Sequence, residues 1–148
     1  MADLQMALEE AFKLNRDIER FLKFTTYPDY IDLSGLDIDF NDGEQLLIWE
    51  ELRVITDRLA DVQDFISYLA RPIVEVSRLR KGVAEKYRTA KGHYYDCGSI
   101  IEALVSDEYY EVPYWTRTTV EHNGKDYYLV GYRDVHMKGL RVRVRSAR

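Results

Sequence analysis

Few residues in this sequence have the type and spacing for chemistry, and each such set has a plainer structural use. The run Asp37-Ile38-Asp39-Phe40-Asn41-Asp42-Gly43 opens like a calcium loop, in which alternate residues turn oxygen ligands towards one ion. Its glycine comes one place late, Ile48 stands where the bidentate Glu belongs, and Ile38 and Phe40 favour burial. Capping of a following helix by Asn41 or Asp42 is the better use of these side chains. His93, Asp96 and Cys97 contain the elements of a thiol nucleophile and its base. Closeness in sequence does not arrange them, and no helix N-terminus is predicted there to lower the thiol pKa. His122, beside a turn, and His136, in a loop, are too scattered to build a metal site with His93. The expectation is therefore no catalytic residue, no metal and no cofactor.

Two other sets suit binding. Arg141, Arg143 and Arg145 alternate with Leu140, Val142 and Val144, so one strand face is basic and the other apolar, and Arg148 extends the charge. Such a face could contact nucleic-acid phosphates, with Trp115, Tyr127, Tyr128 or Tyr132 available to stack on bases. The favoured reading is an edge strand guarded by charge, its arginines paired with Glu102 or Glu121. The second set is Asp107, Glu108, Tyr109, Tyr110 and Glu111, followed by Trp115. Carboxylates among aromatic rings in a loop suit insertion into a basic groove of another protein.

The elements that must carry these residues follow from periodicity. Ile48, Leu52, Ile55, Leu59, Val62, Ile66, Leu69, Ile73 and Val76 are spaced alternately by four and three residues, an unbroken heptad seam that predicts one long helix over 45–80. Pro72 should bend that helix or split it in two, and the seam's unbroken phase through the proline favours the bend. Leu4, Leu8, Ala11, Asn15, Ile18 and Leu22 predict a shorter helix over 4–24, ended before Pro28, with Asn15 either fixing register or partly solvated at a loosely packed point. The connection, residues 25–41, alternates apolar and acidic residues and is expected to lie extended against the helices. A hairpin of unequal helices leaves the far end of the longer one uncovered. The seam from Leu59 through Val62, Ile66, Leu69 and Ile73 to Val76 then needs a second copy, preferably in a dimer, or a fold-back of the C-terminal half.

After Gly82 the period shortens to two, and strands are expected at 83–88, 99–105, 114–122, 127–133 and 140–145. Asn123-Gly124 marks a hairpin, with Glu121 opposite Asp126 in a two-residue loop or opposite Lys125 in a bulged one. Five short strands in this length predict a small closed barrel or strongly curled sheet. The chain thus reads as α+β, with an antiparallel, coiled-coil-like helical hairpin over 1–81 and a small antiparallel β-barrel over 82–148.

Charge divides along the same boundary. Residues 1–81 hold 10 Lys or Arg against 17 Asp or Glu, residues 82–148 hold 11 against 9, and the whole chain carries −5. That balance opposes strong attraction to nucleic acid or anionic membranes. Cys97 is the only cysteine, and neither a signal-peptide pattern nor a membrane-spanning apolar run is evident, so a reducing, cytoplasmic setting is the expectation.

Four blocks then carry a resemblance. Tyr95-Asp96-Cys97-Gly98-Ser99-Ile100-Ile101-Glu102-Ala103-Leu104, Trp115-Thr116-Arg117-Thr118-Thr119-Val120-Glu121, Tyr127-Tyr128-Leu129-Val130-Gly131 and Gly139-Leu140-Arg141-Val142-Arg143-Val144-Arg145 occur in order. Together, over residues 82–146, they resemble a small domain of unknown function from Firmicute conjugative elements and phage-derived segments. The resemblance implies an SH3-like β fold and a mobile-element origin, with no activity attached. The expected function is that of a non-enzymatic, oligomeric binding protein of a phage or mobile element, acting by protein–protein contacts, for instance against a host defence or nucleic-acid-handling protein. A nucleic-acid-binding accessory protein and a small-molecule sponge are the alternatives.

Overall fold

A computed structural model describes residues 3–147. The chain is α+β and divides into two compact units between Arg71 and Pro72.

The first unit is built on two helices, α1 (Leu4–Phe24) and α2 (Gly43–Ala70). Each starts where an aspartate satisfies amides that lack an intrahelical partner. Asp3 accepts from the Gln5 amide at 3.0 Å, and Asp42 accepts from Glu44 and Gln45 at 2.9 and 3.3 Å. Ile18 and Leu22 of α1 pack with Ile66 of α2, supported by Ala11, Phe12, Tyr27, Leu59 and Ala60. Asn15 donates to the Ser67 hydroxyl at 3.2 Å, so the polar residue in the first seam locks α1 against α2 at one height.

The connection differs from the extended segment expected. Backbone bonds from Tyr30 to Thr26, Leu33 to Tyr30 and Leu36 to Leu33 coil it into successive turns. Leu33 is buried with a left-handed backbone, whereas Ile31 and Phe40 are exposed. Local amide satisfaction outweighs apolar alternation here, because the segment has no strand beside it.

The proline also acts differently from the bend expected. α2 stops at Ala70, Arg71 is extended as the residue before a proline tends to be, and Ile73–Arg78 form a strand, β1. Ile73 and Val76 therefore leave the helical seam. They lie opposite Arg145 and Arg143 of another strand, and the units meet ten residues earlier than the 81/82 boundary expected. The β-branched Ile73, Val74 and Val76 fit a pleated ladder, which supplies amide partners that a proline-broken helix cannot.

The second unit continues with β2 (Arg80–Lys81), a one-turn 3-10 helix (Val83–Glu85), β3 (Tyr87–Arg88), β4 (Ile100–Val105), β5 (Tyr114–His122), β6 (Tyr127–Leu129) and β7 (Arg141–Arg145). β1-β7-β4-β5-β6 form one antiparallel sheet, and β2 pairs with β3 as a ribbon. The strand expected over 83–88 is reduced to β3, because Ala84 and Glu85 take left-handed angles in the turn before it. No ladder joins β6 back to β1 among the described residues, so the sheet is described as antiparallel and not as a closed barrel. Leu79, Tyr87, Tyr95, Ile101, Val120, Leu129 and Val142 fill its core. The hairpin follows neither expected register. Glu121 faces Tyr128 and His122 faces Tyr127 across a four-residue loop. Asn123 accepts from the amides of Lys125 and Asp126 at 2.9 and 3.0 Å, closing that wider turn with its side chain.

Candidate functional site

The loop between β4 and β5, residues 106–113, is tethered at its base and exposed at its tip. Asp107 is the tether: one carboxylate oxygen accepts from the Tyr109 amide at 2.9 Å, the other from the Tyr114 hydroxyl. Tyr114 is also 3.2 Å from the Tyr132 hydroxyl, which lies 3.1 Å from Thr116 Oγ1. The hydrogen bond to Asp107, then that to Tyr132, pushes the Tyr114 phenol well above its ordinary pKa and keeps it a donor. The Tyr110 ring rests 4.8 Å from Tyr114. Beyond this anchor Tyr109 is 81% exposed and Tyr110 62%, with the exposed Glu108, Glu111 and Val112 beside them. The carboxylate–aromatic cluster therefore forms a presented edge on a fixed base.

Trp115 does not join that edge. Strand alternation turns it to the opposite sheet face from Tyr114, where it lies opposite Leu104 and the Arg143 guanidinium sits 4.4 Å over its ring. On the same face, Glu102 is only 6% exposed. It receives Arg143 Nε on one oxygen and Arg145 Nε at 3.2 and 3.3 Å on its two oxygens. β7 is consequently an interior strand of the sheet and not its edge, with two arginines directed at a buried carboxylate. Arg141 alone of the three is exposed, opposite Arg78 of β1; Arg148 lies outside the described residues. Glu102 was legible only as a possible partner; its burial depends on β4 lying between β5 and β7.

The seam residues split. Leu59 and Ile66 pack towards α1, Val62 and Leu69 are exposed, and Ile73 and Val76 belong to β1.

The residues weighed for catalysis have other engagements. Asp96 accepts from Lys86 Nζ at 2.9 Å, which lowers its pKa, and from the Cys97 amide at 2.9 Å. His93 stacks edge-on to Tyr95, 4.9 Å between centroids, and Cys97 is exposed. Asp39 accepts the Asn41 amide and Asp42 caps α2, so the calcium-like run serves helix initiation. Among the described residues no His, Cys, Asp and Glu cluster has metal-binding geometry, and no helix is long and apolar enough to cross a membrane. A cleft of about 260 Å³ is lined by Val83, Ala84, Lys86, Arg88, Gly92 and Tyr94. It falls below the roughly 300 Å³ at which small-molecule sites begin.

What fold and surface define is a small antiparallel β module preceded by a helical pair. Residues 77–144, within the β module, match the family described as Domain of unknown function (DUF5348). The match covers the first three sequence blocks whole and the fourth up to Val144, takes in only the last two residues of β1, and leaves the helical unit outside. No curated protein and no solved structure matches the chain.

Proposed function

We propose that this is a non-enzymatic binding protein whose β module engages a basic protein surface through the 106–113 loop, while the helical unit holds copies together. The observation that carries the reading is a pair of largely exposed tyrosines, Tyr109 and Tyr110, flanked by carboxylates and held at the base by the Asp107–Tyr114–Tyr132 chain. Tyrosine contributes contact area with little side-chain freedom to lose, and a tethered loop has less backbone entropy to lose on binding. Neighbouring carboxylates favour a cationic partner and raise the rate of encounter.

The arginine strand gives less support to nucleic-acid binding, because Arg143 and Arg145 would have to abandon a buried carboxylate to reach a phosphate. The sponge reading gains little from the cleft at Val83 and Tyr94, which is small and open, or from the larger and still more open depressions beside Arg20 and beside Tyr30 on the helical unit. An origin on a phage or mobile element is part of the proposal and rests on the sequence blocks alone.

The test is affinity capture from host extract with the wild type and with a Y109A/Y110A/E111Q variant, side by side at low and high salt. A basic protein retained by the wild type, lost with the variant and weakened by salt supports the proposal. Identical captured sets from both proteins would remove it.

A further inference from the structure

We propose that α2 lies antiparallel on α2 of a second copy of this chain, with the two-fold axis between Val54 and Ile55. The helical unit leaves apolar surface that its own residues do not cover. Leu47, Ile48, Val54, Ile55 and Val62 are 39–54% exposed along α2, mostly N-terminal to the stretch where Leu59, Ala60 and Ile66 meet α1. Among the described residues, the buried apolar cluster between the two helices is Ile18, Leu22 and Ile66, with Leu33 and Tyr68 buried outside it, a small core for a helical pair of this size.

The stretch from Leu47 to Val62 identifies its occupant. Three pairs of this stretch stand symmetrically about its centre, Leu47 with Val62, Glu51 with the oppositely charged Arg58, and Val54 with Ile55, while Ile48 falls on Asp61. Glu51 and Arg58 stand on the exposed side between the apolar residues. In an antiparallel pair centred between Val54 and Ile55, each Glu51 faces the Arg58 of the other copy, twice by symmetry. Leu47 meets Val62, and Val54 meets Ile55. A parallel pair would place Glu51 on Glu51 and Arg58 on Arg58. Complementarity in the antiparallel direction and like-charge contact in the parallel one select the antiparallel isologous pair.

The contact is about 24 Å long. Its five apolar residues and the stems of Glu51 and Arg58 offer on the order of 500–600 Å² per copy, near the roughly 1,000 Å² total at which specific interfaces begin. A reversible, micromolar dimer follows. This deepens the assembly part of the function proposed above. Partner capture through the 106–113 loop reads a different surface, so either can fail alone.

The test is sedimentation equilibrium of the full chain, with E51R, R58E and E51R/R58E compared against the wild type. The wild type should approach twice the 17.5 kDa chain mass at micromolar loading. Each single reversal should raise the dissociation constant at least about tenfold, and the double reversal should return it to within about threefold. These sites are exposed, and helicity by circular dichroism checks that the variants fold. In a C97S background, V54C should form an interchain disulfide across the axis and L47C should not. A monomer at every loading, single reversals without effect, or L47C joining as readily as V54C would each overturn the proposal.

Discussion

The Glu102 cluster permits a worked estimate of what one side chain holds in place. Its carboxylate is 6% exposed and receives Arg143 and Arg145, whose side chains are 21% and 12% exposed. At about 3.3 Å and an effective dielectric near 20, each pair attracts by roughly 5 kcal/mol, most of it offset by the desolvation of both ions. Removing the carboxylate relieves its own desolvation but not that of the two guanidiniums, which are left unneutralised and crowded on one sheet face. E102A is therefore expected to destabilise the β module by about 3 kcal/mol, the lower end for breaking a buried pair. E102Q keeps acceptor geometry but not charge and should cost about 2 kcal/mol. Urea unfolding in a W49F background reports on this unit through Trp115, which lies under Arg143. With a slope of about 1–1.5 kcal/mol/M, the E102A midpoint should fall by roughly 2–3 M. A loss below about 0.5 kcal/mol for both variants would refute the electrostatic account. E102A costly with E102Q neutral would reassign the effect to packing and hydrogen-bond geometry.

Two further outcomes are expected. P72A should leave the helical signal at 222 nm unchanged within one or two residues' worth, because Ile73–Arg78 are held by β7; a gain matching six more helical residues would show that the proline alone decides the boundary. The Tyr87 phenol is pushed up to about 12, first by burial and then by its hydrogen bond to Asp126, so its contribution is complete below about pH 10 and is lost as pH rises through about 12. Burial alone would raise the Asp126 pKa, but bonds from the Tyr87 hydroxyl and the Tyr127 amide prevail and lower it, so its contribution is present above about pH 4 and is lost as pH falls through the lower folded value. Y87F should flatten the alkaline arm of a stability–pH profile and raise the midpoint of acid unfolding; an unchanged profile on both arms sinks this assignment.

Much of the architecture was legible because it is written locally. Asp3 and Asp42 cap their helices as short polar residues before apolar periodicity do, and Asn15 found the cross-helix partner its place in the seam implied. β5 occupies the residues its alternation indicated, and β4 and β7 each begin one residue late. The exposed loop edge, Glu108 to Glu111, was legible as well, since no strand pattern could absorb it, whereas Asp107, grouped with it by sequence, holds the base of the loop. Trp115 was grouped with it by sequence distance, whereas pleating places it across the sheet.

The larger misreading lay at Pro72. A spacing of four, three, four cannot tell a helix from a strand when only Ile73 and Val76 remain to be counted, and both are β-branched or apolar enough for either. Sequence alone determined where helices start, which half is acidic, and which side chains alternate about a strand, because these depend on residues a few places apart. Tertiary structure decided that Ile73–Arg78 pair with β7, that Glu102 is buried between arginines, and which half of the heptad ridge stays exposed. Those outcomes depend on which distant strand or helix arrives alongside, and the free energy of that pairing is a property of neither segment by itself.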